Sequence, residues 1–199
     1  MPGRYMGKVL NVDLFSGTTS EESPEEELLR DFVGGAGLGA RIIFSRQKAG
    51  ADPLGPENIF AIVTGPFVGA PIPGAVRYQV MAKSPLTGGW GDANAGGEFA
   101  TYLKRDGCDG MFFTGISEKP VYLLIDEGKA ELRDASHLWG KDTFETEDIL
   151  RSELGQQIGI VCIGPAGEKL SLISSVMNNK GRAAARSGLG AVMGAKRLK

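Results

Sequence analysis

Glycine constrains this chain more than any other residue, at 30 of 199 positions, about twice the ~7% usual in globular proteins. The glycines follow no collagen period and form no Gly/Ser linker; they sit in short clusters between strand-length apolar runs. Such punctuation breaks a chain into many short elements and lets backbone approach backbone, or a ligand, at each break. The length suits one large domain or two intimately packed halves sharing a substantial core.

A net charge of −2 argues against a general nucleic-acid binder, since the basic residues are concentrated only at the C-terminal end. No apolar run approaches the ~20 residues that span a membrane. The first ten residues, MPGRYMGKVL, lack the apolar core of a secretory signal. Cys108 and Cys162 stand far apart with no CxxC neighbour, so neither a disulfide framework nor a cysteine metal site is expected. A cytoplasmic protein that touches neither membrane nor nucleic acid is the expectation.

In chain order, residues 6–14 alternate like a strand and turn at Ser16-Gly17 into a second strand over residues 18–22. Ser23-Pro24-Glu25-Glu26 opens a helix running to about Phe32, with Leu28, Leu29 and Phe32 facing inward. GGAGLG then marks a tight turn, with a second helix from Leu38. This cluster follows a helix rather than a strand, which fits close helix packing and not a dinucleotide loop. IFAIVT, residues 59–64, is a strand buried on both faces. A further strand spans residues 76–83, with Arg77 at its mouth beside Gly74 and Ala75. There it is placed to reach a phosphate or carboxylate, or to make a surface ion pair.

Residues 83–99, KSPLTGGWGDANAGGEF, are read as an irregular loop that brings backbone to a ligand, with a helix beginning at Gly97. Short strands follow at 109–115, 121–125 and 130–133, a helix at 143–154, and strands at 158–163 and 170–177. The lone His137 has no nucleophile near it in sequence and reads as structural.

Residues 178–199, NNKGRAAARSGLGAVMGAKRLK, carry six basic residues and no acid. Arg182 and Arg186 would share a face if helical. Together with the glycines of residues 187–194 they read as a phosphate cradle of backbone donors and guanidinium groups; the alternative is a solvated basic helix. Two Gly-rich loops, each feeding a helix and each near an arginine, suit two anion sites. A weak internal repeat accompanies them: strand, turn, strand and acid-started helix recur, and IFAIVTGP answers IGIVCIGP. The reading is an α+β fold of two β-sheets flanked by helices, a layered αββα sandwich, duplicated over roughly residues 1–110 and 111–199.

GKVLNVDLFSG, DPLGPEN, KSPLTG, NAGGEF, LKRDGCDG, DASHLWG, IGPAGE and RAAARSGLGAVMGAKRLK, in this order, resemble the N-terminal domain of the tungsten-dependent aldehyde:ferredoxin oxidoreductase family across the whole chain. The resemblance implies a base-like domain holding two pyranopterin dithiolenes on tungsten, or molybdenum, with their phosphates joined through magnesium. It implies that Arg77 contacts phosphate, that Asn94 and Ala183 offer backbone carbonyls near the magnesium, and that Ala95, Gly96, Gly97, Arg182, Ala185 and Arg186 line the pterins. In the family, the [4Fe–4S] cluster, the residues that handle the aldehyde and the route to ferredoxin lie in later domains. The chain is therefore expected to be an excised domain or a small subunit, inactive alone, whose open pterin face favours self-association. Where the family commonly reads RAAGRGG this chain reads RAAARSG, and Ala36 replaces a frequent arginine. Those changes leave open a remnant without cofactor, and a non-catalytic pterin-binding or assembly subunit, whose partner supplies the cluster and catalytic residues, is a further reading.

Overall fold

The computed structural model describes residues 5–199; the part of the N-terminal reading that falls on residues 1–4 lies outside them. The first half contains β1 (Val9–Asp13), β2 (Thr18–Glu22), α1 (Glu26–Phe32), α2 (Gly35–Arg46), β3 (Phe60–Thr64), β4 (Tyr78–Lys83), β5 (Trp90–Ala95), α3 (Phe99–Arg105) and β6 (Gly110–Thr114). The second contains β7 (Val121–Asp126), β8 (Lys129–Asp134), α4 (Thr143–Leu154), β9 (Val161–Cys162), α5 (Pro165–Glu168), β10 (Val176–Asn178), β11 (Arg182–Ala184) and α6 (Leu189–Ala195).

A six-stranded sheet has the order β2-β1-β6-β3-β4-β5. All its pairings are antiparallel except β1 with β6. The second layer is divided into a three-stranded sheet, β11-β10-β9, and the hairpin β7-β8. The fold is thus the expected α+β sandwich of sheets and helices, with its second sheet in two pieces. Between those pieces lies an apolar cavity of 230 Å³ lined by β7, residues 157–161 and Leu198.

Strand β3 is buried along its whole length because the large sheet is covered on both sides. Ala61 and Val63 pack with Leu38, Ile42 and Ile43 of α2, while Phe60 and Ile62 face the second half through Ile163, Val176 and Val192. Gly39 makes the α2 contact possible: a Cβ there would lie 2.2 Å from Met81 Cε. The glycines around residue 37 therefore serve helix packing, as their position after a helix implied. Helix α4 starts at a capping box, Asp142 accepting from the Phe144 and Glu145 N–H groups while Glu145 accepts from the Asp142 N–H.

Several sequence expectations change. Helix α2 begins at Gly35, three residues earlier than expected, so the glycine cluster is its first turn rather than a loop. Phe32 points outward, because α1 buries only Leu29. Residues 90–95 are not irregular: they pair with β4 from Lys83↔Trp90 to Tyr78↔Ala95, since a strand needs backbone partners more than bulky side chains. The strand expected at 158–163 is reduced to β9, and that at 170–177 to β10, because α5 and a turn at Leu170 occupy the chain before it.

The basic C-terminal stretch is not a solvated helix. Lys196 and Lys199 are 1% and 3% exposed. The Lys196 ammonium donates to Gly115 O at 3.0 Å, and that of Lys199 donates to Lys141 O at 2.8 Å and pairs with Glu168 at 2.5 Å. The Lys199 N–H also joins Val121 O at 2.8 Å, tying the chain end to the hairpin.

Burial pushes the Lys196 ammonium down to about 8. The folded protein then binds fewer protons than the unfolded chain between that value and the ordinary lysine range, so this group adds stability as pH rises through the window. The thiols of Cys108 and Cys162 act with the opposite sign, since burial pushes them up to about 11 and about 12. Comparison with Lys196→Met cancels them. The unfolding free energy of the wild type minus that of the variant should rise by about 3 kcal/mol between about pH 7 and about pH 11. Denaturant titrations at each pH measure it, and a difference that stays flat contradicts the burial of a lysine charge.

Candidate functional site

Arg77 precedes β4 and so faces the end of β5, where Gln79 pairs with Asn94 and Tyr78 with Ala95. Its Nε donates to Asn94 Oδ1 at 2.8 Å, and its Nη2 lies 3.4 Å from Asn94 O. From the other half, β11 and the loop after it run antiparallel along β5, Arg182 beside Gly96 and Ser187 beside Gly91. A Cβ built on Gly96 would stand 3.7 Å from Nη1 of both Arg77 and Arg182. Glycine at 96 thus leaves a small space between two guanidinium groups supplied by different halves.

Arg77, Arg182 and Arg186 are exposed. Among the described residues the arginine salt bridges belong to Arg30, Arg46, Arg133 and Arg151, not to these three. Cations gathered at one edge and not in salt bridges repel one another, and an anion relieves that repulsion. Arg182 lies on a strand and Arg186 in the following loop, so the helical face imagined for the pair does not exist; the strand instead carries Arg182 to Gly96.

The other expected site residues fall along this edge in different ways. The Ala95 side chain is in the core at 2% exposure, leaving only its backbone for a ligand, whereas Ala183 is half-buried and Ala185 exposed. Of the two positions where the chain departs from the family's glycines, Ala185 is not among the residues with positive φ, but Ser187 has φ 64°. A serine there carries strain of order 1 kcal/mol. It is held by Ser84, whose hydroxyl donates to Ser187 O at 2.8 Å. Ala36 is exposed on the first turn of α2; its neighbour Gly35 abuts Gln79, the register partner of Asn94.

The glycines of residues 187–194 do not form a phosphate cradle. A Cβ on Gly194 would lie 2.0 Å from Gly167 O and one on Gly190 2.7 Å from Ser175 O. The Gly190 N–H is already bonded to Ser174 O. These glycines allow α6 to pack against α5 and the chain before β10, which uses up the close approach that the sequence reading assigned to a ligand.

Sequence reasoning missed Asn178 and Asn179. The Asn178 Nδ2 donates to Gly96 O at 2.9 Å, and Asn179 Oδ1 accepts from the Glu98 N–H at 3.0 Å. The visible signal was the Asn-Asn-Lys-Gly run, a turn signature in itself. His137 pairs with Glu153 at 3.3 Å on the surface, away from this edge. Among the described residues no group of three or more His, Cys, Asp or Glu is arranged to hold a metal ion, and no helix is long and apolar enough to cross a membrane.

The family profile described as aldehyde ferredoxin oxidoreductase, N-terminal domain, matches residues 9–199. The chain belongs to the aldehyde ferredoxin oxidoreductase family. The tungsten-containing aldehyde ferredoxin oxidoreductase of Thermococcus kodakarensis is 45% identical over 97% of this chain and 32% of that protein. The aliphatic sulfonate oxidoreductase, WOR-like subunit, of Pyrococcus furiosus is 34% identical over 98% of this chain and 34% of its own length. Among solved structures, the active site complex BamBC of benzoyl coenzyme A reductase in complex with 1,5-dienoyl-CoA superposes with a TM-score of 0.97. It is 36% identical over all of this chain and 30% of that one. The chain spans about a third of the length of the curated relatives it matches. The fold described above is therefore the N-terminal domain of this oxidoreductase family.

The two central glycines should behave differently. Gly96→Ala adds a methyl at ordinary contact distance and should change stability by no more than about 1 kcal/mol while filling the space between the arginines. Gly97 has φ 115°, and a Cβ there would meet Asn179 Oδ1 at 2.3 Å. Gly97→Ala should therefore cost about 2 kcal/mol or more. Thermal unfolding of both variants checks this, and equal losses would contradict the geometry.

Proposed function

We propose that this domain is the cofactor-binding base of a tungsten or molybdenum pyranopterin oxidoreductase that oxidises aldehydes to carboxylates. The observation that carries the proposal is the convergence of Arg77 and Arg182 on Gly96, neither of them in a salt bridge among the described residues. Such an edge fits a group with two phosphate tails. Arg77, Arg182 and Arg186 would bind the phosphate oxygens, and the glycines at 96 and 97 would let the pterins approach the backbone. Ala95 and Ala185 would contribute main chain, and the carbonyls of Asn94 and Ala183 would face a magnesium ion joining the phosphates. Arg77 Nη2 already lies near Asn94 O, so it would turn from that carbonyl toward phosphate when magnesium binds.

When bound, the cofactor supplies the metal at which the aldehyde gives up two electrons, with water providing the added oxygen. This chain holds and orients the cofactor, and its arginine charges neutralise the phosphates. The [4Fe–4S] cluster, the acid–base residues and the contact with ferredoxin belong to remaining domains or to a partner subunit. The names of relatives and of a structural neighbour of this domain mention different compounds, an aldehyde, an aliphatic sulfonate and benzoyl coenzyme A. That spread supports a domain that holds a cofactor and leaves substrate choice to other parts. The same reading takes the two halves as repeats of one unit, each presenting one arginine-bearing edge to one phosphate.

The test is cofactor analysis of the full-length protein purified without oxygen. Wild type should contain tungsten or molybdenum with about two pterins per chain and should reduce ferredoxin with an aldehyde. Arg182→Ala, which removes a charge-assisted contact, should lower cofactor retention about ten- to a hundredfold while leaving the fold intact. Full retention in that variant would contradict the assignment of the site.

A further inference from the structure

The arginine edge is assembled from two halves, and what holds the halves in register is a pair of amides. Asn178 ends β10 and is 0% exposed. Its Nδ2 donates to Gly96 O at 2.9 Å and to Asn179 Oδ1 at 3.1 Å. Asn179 in turn accepts from the Glu98 N–H at 3.0 Å and donates to Glu98 Oε2 at 3.2 Å. The two side chains thus take hold of the backbone on both sides of Gly97 and fill the space its missing Cβ leaves.

Two features show that this contact carries a cost. Asn178 Oδ1 is buried with no hydrogen-bond partner, an arrangement that an apolar side chain of the same shape would avoid. Asn179 and Lys180 both adopt positive φ, 44° and 60°, in the turn that leads to Arg182. The turn is anchored from behind: the Lys180 N–H donates to the buried Glu147 at 2.6 Å, and the Lys180 ammonium pairs with Asp148 at 2.5 Å. A strained turn, a buried amide with one unmet acceptor and a positive-φ glycine meet directly behind the space between Arg77 and Arg182. Strain and unmet polar groups gather where geometry is held for function.

We propose that Asn178 and Asn179 are positioning residues that set the distance between the two guanidinium groups, and so the separation of the two phosphates the site accepts. The inference rests on the cofactor reading above. Asn178 fixes the Gly96 carbonyl, and with it the floor on which the anions sit. Asn179 fixes the Glu98 N–H, and with it the entry to α3. Loosening either lets the loop at 96–98 move away from β11 without unfolding either sheet.

The test uses the full-length protein. Asn178→Leu removes the amide and its unmet acceptor but leaves the Gly96 carbonyl without its donor, so the unfolding midpoint should fall only modestly. Hydrogen exchange of the 96–99 amides should accelerate, and the affinity of cofactor-stripped protein for pyrophosphate should fall about ten- to a hundredfold. Asn178→Gln, which keeps an amide, should recover part of that loss. If Asn178→Leu binds pyrophosphate and retains cofactor as the wild type does, the latch is wrong. A fall in unfolding midpoint with unchanged affinity would also overturn it, by showing a structural role only. Arg182→Ala serves as the control: if it too leaves cofactor and pyrophosphate binding unchanged, the site reading fails first, whereas loss there with none in Asn178→Leu rejects the latch alone.

Discussion

The structure turns on one close approach, the run of β11 and its following loop along β5. Only small residues permit it. A Cβ on Gly91 would come within 2.9 Å of Ser187 Cβ, and one on Gly96 would stand between two arginines. β5 is the edge of the six-stranded sheet and β11 the edge of the three-stranded one, so this contact sets the two sheet edges side by side. It also brings Arg77 of one half to Arg182 of the other. The large sheet, the hairpin and the helices behind them supply the rigid walls that keep the two edges facing.

The handling of charge follows from the same arrangement. The last two lysines of the C-terminal stretch are taken inside and satisfied locally, Lys199 by Glu168 and Lys141 O, Lys196 by Gly115 O. Arg182 and Arg186 are left outside, with no salt bridge among the described residues. Buried lysines meet their partners as point charges, whereas an exposed guanidinium keeps a forked donor set available for an oxyanion. A stretch that looks uniformly basic in the sequence is thus split by the fold into structural cations and candidate ligand-binding ones.

Much of this was legible beforehand. The continuous apolar run of β3, the acidic start of α4 and the hairpin turn at Asp126 are local signals, and they placed those elements within a residue or two. Arg77 could be singled out at a strand mouth beside small residues, and Arg182 by its spacing from Arg186 next to a Gly-rich run, although that run is not the helix the spacing implied. What could not be read was which glycines serve packing and which leave room for a ligand. Gly190 and Gly194 are filled by their neighbours' carbonyls, and Gly96 is not; composition is the same in both cases, and only the position of the opposing chain differs. Strand β5 was hidden because its residues lack bulk, although its backbone partners on β4 suffice. Asn178 and Asn179 were hidden because a turn signature says nothing of a loop 81 residues away that their side chains grasp.

The central claim is that the edge formed by Arg77, Gly96 and Arg182 receives the phosphates of the cofactor. A crystal structure of the full-length protein, purified without oxygen and with anomalous data at the tungsten edge, tests it most directly. The account predicts phosphate density against Gly96 between the two guanidinium groups, with the metal peak above it on the same face. Cofactor density whose phosphates lie on other elements, with Arg77 and Arg182 turned to solvent, would contradict it.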